Sequence, residues 1–183
     1  TLIGHTEKVI YASFSPDSKK VVTASEDKSA RVWDVASGKL LFNLKGHKDW
    51  VNTAQFDSAG KKIITASGDN TVKVWNAGNG KLLYTFFAVD STDYLVVDPS
   101  IHYDGTENAR NLLYFTCGSE MVSLDQVKDD LWIPNLAEEL NNGKTIRAKT
   151  LDQLDVCVLI PEVEAIGDNP YVFQFKITPR RGD

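Results

Sequence analysis

Thr23-Ala24-Ser25-Glu26-Asp27-Lys28-Ser29-Ala30-Arg31-Val32-Trp33-Asp34 returns 42 residues later as Thr65-Ala66-Ser67-Gly68-Asp69-Asn70-Thr71-Val72-Lys73-Val74-Trp75-Asn76. Outward from this stretch the agreement continues at the same offset. Gly4-His5 answers to Gly46-His47, Val9, Ala12 and Phe14 to Val51, Ala54 and Phe56, and Gly38-Lys39-Leu40-Leu41 to Gly80-Lys81-Leu82-Leu83. A fixed period in this range marks a chain built from repeated supersecondary units. Each copy splits into short β-rich runs, in the first at 9–15, 20–25, 30–34 and 40–44. Turn chemistry such as Pro16-Asp17-Ser18 and Ala36-Ser37-Gly38 separates them. Each copy therefore reads as one antiparallel four-strand meander.

Gly-His near the start of a copy and Trp-Asp near its end resemble the WD-repeat family, whose unit is a four-stranded propeller blade. The resemblance implies a mainly β fold with two blades at 4–45 and 46–87, an incomplete propeller. It also implies a buried polar chain in each blade: His5, Thr23, Asp27 and Trp33 in the first, His47, Thr65, Asp69 and Trp75 in the second. The chemistry suits the role. An indole N–H only donates, a hydroxyl and a neutral imidazole do both, and a carboxylate accepts. Such a chain satisfies groups that would otherwise be buried at a cost of about 1–3 kcal/mol each. His, Asp and Thr together also invite a catalytic or metal reading, but a catalytic set has no reason to recur at the same offset with Trp as its fourth member.

In the family, the loop after each Gly-His and the turn beside the buried Asp emerge on one rim. Carried over, that rim gathers Glu7, Lys8, Glu26, Lys28, Asp49, Trp50 and Asn70 as the candidate surface for a protein or peptide partner. Trp50 has Lys8 as its counterpart, so the repeat does not require an aromatic there, and Trp is enriched among binding anchors. The competing reading is that Trp50 packs on a neighbouring blade.

The chain has 183 residues, 42% hydrophobic and 25% charged, which suits one ordinary globular domain or two small ones. No apolar run approaches the roughly 18 residues needed to span a bilayer, and the first residues do not read as a signal peptide. Thr1 to Ile3 reads as the last strand of a preceding blade. Propellers close with about 4–8 blades, so the expectation is a segment of a longer, cytoplasmic protein whose remaining blades are its nearest partners. Cys117 and Cys157 lie far apart and form no metal-ligand spacing, which predicts reduced cysteines and no cofactor or metal. Residues 1–87 hold 12 Lys and Arg against 8 Asp and Glu, whereas 88–183 hold 8 against 17. The lysines of the first half recur at turns, where solubility explains them better than nucleic acid does.

After Phe87 the period fails, since Ala88-Val89 stands where a third Gly-His would fall. Residues 88–150 read as a small α+β connecting segment. It holds a hairpin from 93–99 into 101–105, a second at 112–117 and 120–124 around Gly118-Ser119, and two short helices. Ser123 and Gln126 look like a capping box ahead of Leu124, Val127 and Leu131, and Pro134 precedes a helix with Leu136 and Leu140 one turn apart. Residues 151–183 read as the start of an immunoglobulin-like β-sandwich. It has strands at 157–160 and 161–166, a turn at 167–170, and an alternating strand at 171–178. This order resembles large bacterial WD-repeat proteins, several of which carry a caspase-like cysteine peptidase domain further toward the C-terminus.

His102, Asp104 and Cys117 supply the residue types of a thiol nucleophile and its base. Cys117, however, sits in an apolar strand, where a small hydrophobe is the usual role. Arg181-Gly182-Asp183 has no loop to present it. The reading is thus a non-enzymatic interaction scaffold with no catalytic residues, and its alternative is an accessory portion of a caspase-like peptidase whose catalytic domain lies further along the chain.

Overall fold

The computed structural model describes residues 2–111, 114–117, 120–149, 159–165 and 173–179. It divides into two compact units, 1–87 and 88–183. The first holds two antiparallel meanders, β1 (Val9–Phe14), β2 (Lys20–Ser25), β3 (Ser29–Asp34) and β4 (Leu40–Lys45), then β5 (Val51–Phe56), β6 (Lys62–Ser67), β7 (Thr71–Asn76) and β8 (Leu82–Ala88). The two copies match in their irregularities as well as their strands. Register shifts at Val9/Tyr11 and Val32/Trp33 recur at Val51/Thr53 and Val74/Trp75. Leu2 and Ile3 pair with no strand among the described residues, and Ile3 is largely exposed.

Alternation along the strands sorts each blade into two faces. Val22, Ala24, Ala30, Val32 and Leu44 from the first blade meet Val51, Ala54, Ile63, Trp75 and Ala77 from the second in one buried cluster, flanked by Phe42, Phe56 and Leu82. At about 25 cal/mol per Å² of apolar surface this contact is the main term holding the blades together. Small residues set its spacing. Gly80, at φ 71°, lies so near Phe42 that a Cβ would approach its ring within 2.8 Å, so the β7–β8 turn needs glycine for both conformation and space. Lys20 Nζ adds a polar tie between the blades, donating to the Ala77 carbonyl at 3.0 Å.

In the second unit β9 (Tyr94–Val97) and β10 (Tyr103–Gly105) form the expected hairpin. A short helix α1 (Glu107–Asn111), absent from the sequence reading, follows it. β11 (Tyr114–Cys117) and β12 (Glu120–Ser123) pair antiparallel, while the Gly118-Ser119 turn lies outside the described residues. The side chains of the expected capping box, Ser123 and Gln126, lie outside what is described. Ser123 is held as the last residue of β12 opposite Tyr114, so the chain enters through a 3-10 turn (Leu124–Val127). The helix α2 (Lys128–Leu131) then starts with no side-chain cap. The apolar face is nevertheless the expected one, with Leu124, Val127 and Leu131 buried. α3 (Leu136–Asn141) starts after Asn135 in the left-handed region and ends before Gly143 at φ 75°.

The two runs expected at 157–160 and 161–166 are one strand, β13 (Leu159–Ala165), paired antiparallel with β14 (Phe173–Pro179). β13 is the edge of a sheet ordered β12-β11-β14-β13, and an edge strand tolerates Pro161 because its missing N–H need not serve the ladder. β14 also pairs parallel with β11 through Phe115 and Phe175. The 167–170 turn, Cys157 and the terminal Arg-Gly-Asp lie outside the described residues.

Candidate functional site

The Asp27 turn organises the first blade's end. Its Oδ1 accepts from the Ser29 N–H at 3.0 Å and the Ser29 hydroxyl at 2.6 Å, which wraps the β2–β3 connection around the carboxylate. Its Oδ2 lies 2.8 Å from His5 Nδ1 and accepts from the Thr6 N–H at 3.2 Å. On the far side of the ring His5 Nε2 meets Thr23 Oγ1 at 2.8 Å, and Thr23 Oγ1 accepts from Trp33 Nε1 at 2.9 Å. The second blade repeats this arrangement. Asp69 Oδ2 lies 3.0 Å from His47 Nδ1 and accepts from the Lys48 N–H at 2.7 Å, His47 Nε2 lies 2.8 Å from Thr65 Oγ1, and Trp75 Nε1 donates to Thr65 Oγ1 at 2.9 Å.

The electrostatics follow from the donors. Burial pushes the Asp27 carboxyl up, but hydrogen bonds from Ser29, His5 and Thr6 outweigh it and hold the group down at about 2. Asp69 is driven well below the ordinary carboxylate range in the same way, with burial opposed by His47, Thr71 and Lys48. Burial lowers Lys73, partly offset by the nearby Asp69 charge; its ammonium donates to Thr85 Oγ1 at 3.0 Å.

These networks pin the loops that carry the residues expected to form a rim. The Glu26 N–H donates to the Lys8 carbonyl at 3.0 Å and the Ser25 hydroxyl to the Glu7 carbonyl at 3.3 Å. In the second blade the Gly68 N–H donates to the Trp50 carbonyl at 2.9 Å and the Ser67 hydroxyl to the Asp49 carbonyl at 3.0 Å. Lys28 and Asn70 occupy the left-handed region at φ 65° and 60°, where the turn beside the buried Asp requires it. Glu7, Lys8, Lys28, Asp49, Trp50 and Asn70 are exposed and Glu26 is half-buried. Trp50 shows 52% of its surface to solvent, with its own backbone N–H bonded to Asp49 Oδ1 at 2.8 Å.

A family model for the WD domain, G-beta repeat, matches residues 1–34 and 38–76. The first part of this chain is a pair of WD repeats. An uncharacterized WD repeat-containing protein of Synechocystis is 47% identical to it over 45 residues, 24% of this chain and 13% of that protein. A Notchless protein homolog of Arabidopsis thaliana is 42% identical over 45 residues, 25% of this chain and 10% of the relative. A vegetative incompatibility protein of Podospora anserina is 45% identical over 38 residues, covering 21% and 3%. The matched portion is thus a small part of each relative. Among solved structures, U3-55K aligns with a TM-score of 0.45 at 22% identity, over 52% of this chain and 35% of that one.

Of the residues whose types suggested a thiol site, His102 and Asp104 are described and each is engaged elsewhere, while the Cys117 side chain lies outside what is described. Both ring nitrogens of His102 are engaged, Nδ1 with Asp98 Oδ2 at 2.8 Å and Nε2 with the Lys149 carbonyl at 2.9 Å. Asp104 is taken up by the Gly105 N–H, Trp132 Nε1 and the Asn135 N–H. The charged ends of Arg110 and Lys128 sit 5.1 and 4.8 Å from the Trp132 ring centroid. The sequence reading missed both clusters. The one signal was the i, i+4 spacing of Asp98 and His102 around Pro99. Among the described residues no group of three or more His, Cys, Asp or Glu is arranged to hold a metal ion.

Proposed function

We propose that the WD-repeat unit binds a protein or peptide segment on the rim formed by Glu7, Lys8, Glu26, Lys28, Asp49, Trp50 and Asn70, with no chemistry of its own. The observation that carries this reading is Trp50, a large indole more than half exposed on a loop whose backbone is bonded on both sides. A displayed, pre-positioned aromatic loses little entropy on binding, and such anchors contribute about 2 kcal/mol or more. Charge favours a protein over a polyanion. Lys8, Lys28 and Lys48 are interleaved with Glu7, Glu26 and Asp49, a balance that does not build the one-sign field phosphate backbones select.

The test is site-specific photo-crosslinking in the full-length protein. A crosslinker at position 50 captures a protein adduct that one at Lys39, on a turn at the opposite end of the strands, does not. Trp50→Ala lowers affinity for the captured protein by about 30-fold or more, the equivalent of about 2 kcal/mol, and leaves the unfolding midpoint in place. Lost stability with unaltered affinity would place Trp50 in the core and remove the rim.

A further inference from the structure

The turn between β9 and β10 holds a buried acid–imidazole pair that neither the repeat nor the rim uses. Asp98 Oδ1 accepts from the N–H groups of Ser100 at 2.8 Å and His102 at 2.9 Å, and Oδ2 lies 2.8 Å from His102 Nδ1. Across the ring, Nε2 lies 2.9 Å from the carbonyl oxygen of Lys149. His102 is 2% exposed and Asp98 8%.

Hydrogen counting makes this pair unusual. A backbone carbonyl only accepts, so Nε2 must carry a hydrogen; the contact with Asp98 needs a second one, on Nδ1 or on the carboxyl. With both contacts made as hydrogen bonds, the pair would hold one proton more than a carboxylate beside a neutral imidazole. The blade histidines differ, because His5 and His47 face a threonine hydroxyl that can donate or accept. When the Asp98–His102 pair loses its extra proton, one contact sets lone pair against lone pair. The carboxylate side is the better held, being charge-assisted and fixed by two backbone N–H groups, so the contact that yields is the one to Lys149.

The surroundings are arranged for that outcome. The turn is closed by Ile101 N–H to the Asp98 carbonyl and Asp98 N–H to the His102 carbonyl, each at 3.0 Å. It keeps Ile101 at φ 70°, a conformation β-branched residues avoid. A turn that sustains such strain is over-determined by its bonds and does not move easily. Residues 144–149 instead run without regular secondary structure. Residues 144–148 form, with Ile133, the lining of an open cleft of about 510 Å³. Besides the His102 contact this strap is tied by the Lys144 N–H to the Glu139 carbonyl at 3.0 Å and by two exposed ion pairs, Lys144 to Glu139 at 2.7 Å and Lys149 to Asp130 of α2 at 3.0 Å.

We propose that Asp98 and His102 form a proton-controlled latch, which holds the 144–149 strap in place while the pair keeps its extra proton and releases this wall of the cleft when the proton leaves. Asp98 lies on the same turn as His102, and the strap carries Lys149, whose ammonium pairs with Asp130 of α2 at 3.0 Å.

The experiment is nitrogen-15 NMR on the 183-residue chain from about pH 5.5 to about pH 9, a range that brackets ordinary imidazole titration. At the acid end the His102 ring has at least one hydrogen on Nε2. As pH rises its nitrogens and the amides of 145–149 titrate with a common midpoint. Exchange of those amides, corrected for its intrinsic pH dependence, rises about tenfold, the equivalent of one net hydrogen bond. His102→Gln still donates to the Lys149 carbonyl but cannot titrate, so its strap amides lose the pH dependence. Lys149→Met breaks the ion pair, spares the carbonyl and keeps the dependence. The latch is overturned if the wild-type strap amides do not follow the ring, or if His102→Gln titrates as the wild type does. Should that variant fail to fold, the wild-type ring and strap midpoints decide alone.

Discussion

Blade for blade, the chain writes nearly the same surface twice and buries it once. Val51 and Ala54 are fully enclosed, yet their counterparts Val9, at 46% exposure, and Ala12 are open; Ala77 is buried where Val35 is exposed. The difference lies in the neighbour. The second blade's face rests on Val22, Ala24, Val32 and Leu44 of the first, and nothing among the described residues plays that part for the first blade. Repeat periodicity therefore fixes which face is apolar, while the stacking partner decides what that face is worth.

Substituting the same position in both blades tests this most severely. Val51→Asp puts an unpaired carboxylate into the packed cluster, with an expected loss of about 3–5 kcal/mol or outright unfolding. Val9→Asp, on the open face, stays within about 0.5 kcal/mol. Denaturant midpoints of the two variants measure the contrast, and equal losses would mean the first blade's face is covered too.

Trp75→Ala removes a core member and leaves a cavity, for an expected cost of about 3–5 kcal/mol, while Asp69→Ala strands the Lys48 and Thr71 N–H groups and the His47 ring for about 1–3 kcal/mol. Because both act through His47 and Thr65, the double variant loses less than the two together. Additive losses in the cycle would dissolve the network into separate contacts.

The acid limb is gentler. Asp27 is held at about 2 against an ordinary 3.8, so its contribution is complete above the unfolded value and is lost as pH falls through the folded one. That amounts to roughly 2 kcal/mol of stability disappearing between about pH 4 and about pH 2. Asp27→Asn flattens this part of the stability profile, which a urea titration at stepped pH reads directly.

The blades were legible because every level of the sequence agreed: period, alternation, turn residues and the His, Thr, Asp and Trp positions all named the same meander. The second unit offered local signals without a period to arbitrate among them. Ser123 reads equally as a helix cap and as a strand end, and only its long-range pairing with Tyr114 reveals that its backbone closes β12. Pro161 reads as a breaker until its place on a sheet edge makes its missing N–H harmless. The partner of His102 lies 47 residues away as a main-chain carbonyl, a group every residue carries and no sequence can mark.

The spans of the two polar networks bear on how such a chain grows. Each closes within its own copy, from His5 to Trp33 and from His47 to Trp75, and shares no hydrogen bond with the other. An unequal crossover that copies or deletes one 42-residue period therefore adds or removes a complete network and cuts none. Blade number can change by recombination while the networks stay whole, and what selection must then mend is the contact between blades, its apolar face and the Lys20 to Ala77 tie.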